Sequence, residues 1–112
     1  LKIINLTPHE IVVRLDGQPE RRFAPEATPA RVEVWTNPAL DVDGIPCVTR
    51  RYGAVTGLPS EQVGVVYLVS PLVAAAARRE GRRDVFVPDT SPDSVVRDAV
   101  GRIVGVRRLA ME

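Results

Sequence analysis

Adjacent arginines are the main chemistry-bearing feature of this 112-residue sequence, at Arg21-Arg22, Arg50-Arg51, Arg78-Arg79, Arg82-Arg83 and Arg107-Arg108. A guanidinium is a planar fork of donors that matches the oxygens of a phosphate or carboxylate. Neighbouring residues of a strand face opposite ways, so each pair lying on a strand is expected to split. One arginine then meets solvent and the other turns inward or toward a partner subunit. Arg50-Arg51-Tyr52 adds an aromatic plane to the fork. That combination suits a phosphorylated nucleotide, with phosphate on Arg50, Arg51 and Arg83 and a ring stacked on Tyr52. The competing reading is a solvated sheet face on which each arginine meets an acid.

A second concentration of polar groups is Asn5-Leu6-Thr7-Pro8-His9. Side chains of Asn and Thr stabilise tight turns, which is one role for it. The other is ligand contact, with Asn5, Thr7 and His9 reading a ribose or base edge. Ser70 precedes Pro71 at the start of an Ala-rich segment, where exposed backbone N–H groups at a helix N-terminus favour anions.

Catalytic constellations are poorly supported. The chain has one His and one Cys, and Cys47, between Pro46 and Val48, is expected to be a buried, inert thiol. A single cysteine excludes an internal disulfide and a Cys-cluster zinc site, and neither a metal nor a cofactor is expected. Ser70 lacks the flanking glycines of a nucleophile elbow. Asp41-Val-Asp43-Gly44 falls short of a calcium loop, and Asp89 and Asp93 lie in turn composition. No G-x-x-x-x-G-K motif occurs. A phosphodiesterase with His9 as general base has no visible partner for that base. The expectation is a protein that is not an enzyme.

Charge narrows the partners. Fifteen basic against fourteen acidic residues leave a formal charge of +1, so no global field draws the chain to nucleic acid or a membrane. Extended DNA binding needs a stripe of uncompensated charge, whereas a focused pocket needs only local positive potential. No apolar run approaches the ~20 residues of a spanning helix. With no targeting segment visible, a cytoplasmic location is expected.

The elements that must position these residues are mostly strands. Valine supplies much of the apolar content, and ten prolines with eight glycines cut the chain into short pieces. Strands are expected at Lys2–Leu6, Ile11–Leu15, Arg21–Phe23, Ala30–Trp35, Ile45–Tyr52 continuing to Thr56, and Arg83–Val87. Ser94–Arg97 and Arg102–Leu109 read as a closing hairpin. Asp16-Gly17 and Asp43-Gly44 mark hairpin turns. Ala30–Trp35 alternates, with Val32 and Val34 on one face and Arg31, Glu33 and Trp35 on the other, as a half-buried strand does. Val63–Val69 is nearly all apolar and reads as a central strand buried on both faces. One helix is expected at about residues 71–80, with Ser70 as N-cap, Pro71 at its first position and Gly81 after its last turn. The fold class is therefore α+β and β-rich, a small mixed or mostly antiparallel sheet with one short helix. Residues 1–112 form one domain in this reading.

Several stretches together resemble a family of short proteins encoded by phages, prophages and their actinobacterial hosts. They are Asn-Leu-Thr-Pro-His at Asn5–His9, the Tyr-Gly…Gly-Leu-Pro run from Tyr52 to Pro59, and Tyr-Leu-Val-Ser at Tyr67–Ser70. Arg83-Asp84, Val96-Arg97-Asp98 and Gly101-Arg-Ile-Val-Gly105 complete the set. The chain is also similar in size to phage sponges, which sequester cyclic nucleotide signals made by TIR-type or cGAS-like defence enzymes. Those sponges lack catalytic residues and use Arg and aromatic side chains at subunit interfaces. The resemblance implies a homo-oligomer that sequesters a small phosphorylated, cyclic nucleotide and so counteracts antiphage defence. The alternative is a protein-interaction or virion-associated module with no small-molecule ligand, assembling through exposed strand edges.

Overall fold

A computed structural model of the chain describes residues 1–111. Ten strands and one helix follow in the order β1 (Lys2–Asn5), β2 (Ile11–Val13), β3 (Arg21–Phe23), β4 (Arg31–Pro38), β5 (Val48–Thr56), β6 (Val65–Leu68), α1 (Pro71–Arg79), β7 (Val85–Pro88), β8 (Val95–Arg97), β9 (Ile103–Val106) and β10 (Leu109–Ala110).

The apolar run ending at Val69 forms the middle of a first sheet, ordered β1-β6-β7-β10. Both β1 and β7 run parallel to β6, and β10 closes the sheet antiparallel to β7. The expected central strand is shorter than the run that announced it. Gly64, at φ +79°, ends it, and Val63 stands fully exposed. Helix α1 carries the chain from β6 to its parallel neighbour β7. Its boundaries are those the sequence announces: Ser70 is extended, its Oγ accepts from the Val73 N–H at 3.3 Å, Pro71 opens the helix, and Gly81 follows with positive φ.

A second sheet has the order β3-β2-β9-β8. Two hairpins build it, β2–β3 around Gly17 and β8–β9 around Gly101, joined by a parallel contact between β2 and β9. The expected strand Arg102–Leu109 breaks at Arg107-Arg108 because the chain there leaves the second sheet for the first. Buried Ser94 makes the crossing possible: its Oγ accepts from the N–H of both Arg107 and Arg108 at 3.1 Å. The Arg108 donor, freed from sheet pairing, is thereby satisfied, and the Arg107 N–H is shared with the Ser94 carbonyl at 2.8 Å.

Alternation along the first sheet divides the core into two layers. Tyr67, Val69, Val85 and Val87 pack with Val73, Ala74 and Ala77 of the helix. Leu68 and Phe86 point the other way, onto Ile11, Val13 and Val106 of the second sheet. Helix, sheet and sheet form three layers.

The remaining two strands leave this body. β4 and β5 pair antiparallel as a separate two-stranded ribbon. Only its base is anchored: Val32 and Val55 touch the helix-side core, and the Val55 N–H donates to Glu80 Oε2 at 3.2 Å. Beyond that base the expected half-buried strand is in fact exposed, with Val34 43% and Trp35 50% accessible. A radius of gyration of 16.7 Å, against about 13 Å for a compact domain of this length, records the projecting arm. At its tip Val42 and Ile45 exchange both backbone hydrogen bonds around Asp43 (φ +49°) and Gly44 (φ +78°). Two positive φ values in a two-residue loop are the requirement of the tightest hairpin turn. No helix of the described residues is long and apolar enough to cross a membrane.

Candidate functional site

The residues with apparent binding chemistry fall in three separate places. Asn5, Thr7 and His9 form the turn after β1, Arg50, Arg51 and Tyr52 lie on the arm, and Arg83 sits beyond the C-terminal end of the helix whose N-terminal end Ser70 caps.

In the first place the turn consumes its own polar groups. Asn5 is fully buried, and its Nδ2 donates to the carbonyls of His9 at 2.8 Å and Phe23 at 2.7 Å. Its Oδ1 accepts from the Thr7 N–H at 2.9 Å and lies 2.7 Å from Thr7 Oγ1. Thr7 Oγ1 also reaches the His9 carbonyl at 2.9 Å, so its one proton has two acceptors within range. Asn5 thus has no donor left for a ligand and ties β1 to β3 and to the loop between them. The His9 ring is exposed. Thr7 and Ser70 do meet, in a crevice between the exits of β1 and β6 that Pro29, Ala30 and Arg31 help to line. There the two parallel strands send the chain to opposite faces of their sheet, one toward the second sheet and one into α1.

Arg83 is exposed beside Arg78, Gly81 and Arg82. Arg82 is engaged: its Nε and Nη2 donate to the two carboxylate oxygens of Asp84 at 2.9 and 2.8 Å, and Nη2 donates also to the Pro59 carbonyl at 2.7 Å. The Asp84 carboxylate raises the Arg82 pKa further, against the smaller opposing effect of burial.

On the arm, register decides what stands beside what. Val34 pairs with Tyr52, Trp35 with Arg51, Thr36 with Arg50 and Asn37 with Thr49. The Arg50-Arg51-Tyr52 constellation therefore splits, as alternation requires. Arg50 and Tyr52 share one face with Val34, Pro38 and Val48. Arg51 shares the other with Trp35, Asn37 and Glu33. A bulge between Val32 and Val34 matters here. It inserts an extra residue on β5, so that Val55 and Tyr52, three apart, lie on one face. Without it Val55 could not seal the arm's base while Tyr52 continued the same stripe outward.

Trp35, Asn37 and Arg51 together line a shallow depression on the arm. Trp35 and Asn37 were not legible as site residues, although the alternation of Ala30–Trp35 put Trp35 on the arginine-bearing face. The depression assembles an aromatic plane, an amide and a guanidinium. None of the three side chains forms a hydrogen bond or ion pair among the described residues. Arginines of the body contrast with this: Arg14 and Arg22 pair with Glu20, Arg102 with Asp98 and Arg108 with Asp89. Acid pairing thus accounts for five arginines of the body, while Arg50 and Arg51 of the arm meet no acid among the described residues.

Cys47 lies just before β5, half-buried and outside the core. Among the described residues no group of three His, Cys, Asp or Glu is placed to hold a metal ion. No protein-family model, curated protein or solved structure matches this chain.

Proposed function

We propose that this chain is a non-catalytic, homo-oligomeric binder of a small phosphorylated nucleotide, held on the exposed arm. The base stacks on Trp35, Asn37 supplies a donor and an acceptor to its edge or to the ribose, and Arg51 grips phosphate. The observation that carries this reading is the depression formed by Trp35, Asn37 and Arg51, whose side chains make no hydrogen bond or ion pair among the described residues. An aromatic plane and a guanidinium contribute to nucleotide binding independently of base identity, and the amide adds selectivity. Arg50 and Tyr52 offer the same two chemistries on the opposite face.

Binding without hydrolysis would make the protein a sponge. Sequestration of a cyclic nucleotide immune signal is the role that the family resemblance adds, in the cytoplasm of a host cell. Titration calorimetry with linear and cyclic nucleotides tests the reading, followed by recovery of the ligand. Saturable binding with the nucleotide returned intact supports it. A cleaved product would point instead to a phosphodiesterase.

One observation favours the alternative of an interaction module that takes no small molecule. Seven of the fourteen exposed large apolar side chains among the described residues belong to the arm: Val34, Trp35, Leu40, Val42, Ile45, Val48 and Tyr52. Absence of binding by every nucleotide at millimolar concentration would select that alternative.

A further inference from the structure

We propose that the arm is a self-assembly element, and that two copies of the chain dock their β4–β5 ribbons antiparallel about a two-fold axis. This deepens the reading of a homo-oligomer and rests on that reading only for the claim that copies associate. A two-stranded ribbon alone in water is marginally stable, and three strands or a covered apolar face are the usual remedy. Here the face carrying Val34, Pro38, Val48 and Tyr52 continues outward from the core and loses its cover once it passes Val32 and Val55.

The charges say what covers it. Arg50 is the one charged side chain on that face of the paired strands, and no acid of the described residues meets it. Exposed Asp41 and Asp43 stand at the tip, and neither carboxylate accepts a hydrogen bond or meets a cation among the described residues. Asp89 and Asp98, by contrast, cap their own turns. The arm is thus basic on its stem and acidic at its tip. A parallel arrangement would stack like charges, while an antiparallel two-fold arrangement sets each tip against the other copy's stem.

Arg50 lies level with Thr36, and Asp41 is five residues further out, about 17 Å at the rise of an extended strand. The axis then passes near Pro38 and Val48, so the centre of the contact is apolar and the ion pairs flank it. In such an isologous contact each substitution acts twice. The opposite face, with Trp35, Asn37 and Arg51, stays open to ligand.

Sedimentation equilibrium of the full chain tests this with Arg50→Glu, Asp41→Arg and the double variant, each checked for an unchanged melting curve. A dimer is expected for the unmodified chain, with its dissociation constant raised about tenfold or more by either single reversal, since like charges then face each other. Combining the two reversals should restore association. A monomer at every concentration overturns the proposal, and so does a dimer indifferent to both reversals. A dimer that takes up no nucleotide would leave this inference standing and remove the ligand reading. A monomer that binds nucleotide would do the reverse.

Discussion

The indole of Trp35 lies where a side chain at position 53 would begin: a Cβ built on Gly53 would sit 2.8 Å from Trp35 Cη2 and 2.9 Å from Cζ3. The ring rests across the backbone of β5 because Gly53 offers no side chain there. This contact holds the aromatic plane beside Arg51, its cross-strand partner.

Gly53→Ala should therefore expel the ring. Trp35 is the single tryptophan, so its emission reports the position directly. A red shift and stronger quenching by iodide are expected, together with weaker nucleotide binding. The melting temperature should move little, since the ring is half exposed. Unchanged emission would mean that the ring does not depend on Gly53.

Arg51→Ala should lower nucleotide affinity about 10- to 100-fold, the range of a charge-assisted hydrogen bond. Trp35→Ala should cost a comparable factor through lost stacking, about 1–3 kcal/mol per base. Neither should change the melting temperature much, because neither side chain has a polar partner among the described residues. Calorimetric titration beside thermal melting separates the two effects, and full affinity in Arg51→Ala would take that residue out of the site.

Asn5→Ala should behave in the opposite way. It removes the Asn5 partner of the Phe23 carbonyl and of the Thr7 N–H in a buried turn, at about 1–3 kcal/mol for each group left unsatisfied, while the His9 carbonyl keeps the Thr7 hydroxyl. A total near 3 kcal/mol lowers the melting temperature by more than ~10 °C in a domain of this size. His9→Ala, with an exposed ring, should be nearly silent. A stable Asn5→Ala protein that has lost its ligand would return the turn to the binding site.

The helix and the two Asp-Gly turns were legible because caps and positive φ are local demands, met by Ser70, Pro71, Gly81, Gly17 and Gly44. The central strand was legible too, since only burial on both faces explains the run ending at Val69. Long-range pairing was not. Nothing local says that β9 joins β2, or that the chain changes sheets at Arg107-Arg108. The arm shows the same limit: an alternation of valines reads as half-buried whether or not a body lies beneath it. The Trp35–Arg51 pair was hidden by register. Counting back from the Asp43-Gly44 turn sets Trp35 opposite Tyr52, but an extra residue near Leu40 and Asp41 shifts the pairing by one.

Acid should weaken the fold through turn carboxylates. The Ser91 backbone N–H, then the Ser91 side chain and Arg108, hold Asp89 below its ordinary value of 3.8. The Arg102 N–H, with the Arg102 side chain and the Val100 N–H, does the same for Asp98. Glu20 is lowered chiefly by Arg22 and also by Arg14. A carboxyl with a depressed native pKa contributes stability that is full above its unfolded pKa and fades as pH falls through the native one. The melting temperature should accordingly hold from about pH 8 to 5 and fall below about pH 4. Asp98→Asn should shrink the difference between neutral and acid melting temperatures. An undiminished difference would place the acid sensitivity elsewhere.

In the proposed function, copies of this chain hold a phosphorylated nucleotide without consuming it. Native mass spectrometry of the full chain, purified from cells that make nucleotide signals and then mixed with nucleotides, tests both halves together. The expected species is a homo-oligomer carrying added mass equal to an intact nucleotide, with that mass lost in Arg51→Ala. A monomer that retains nothing and takes up no added nucleotide would contradict the account.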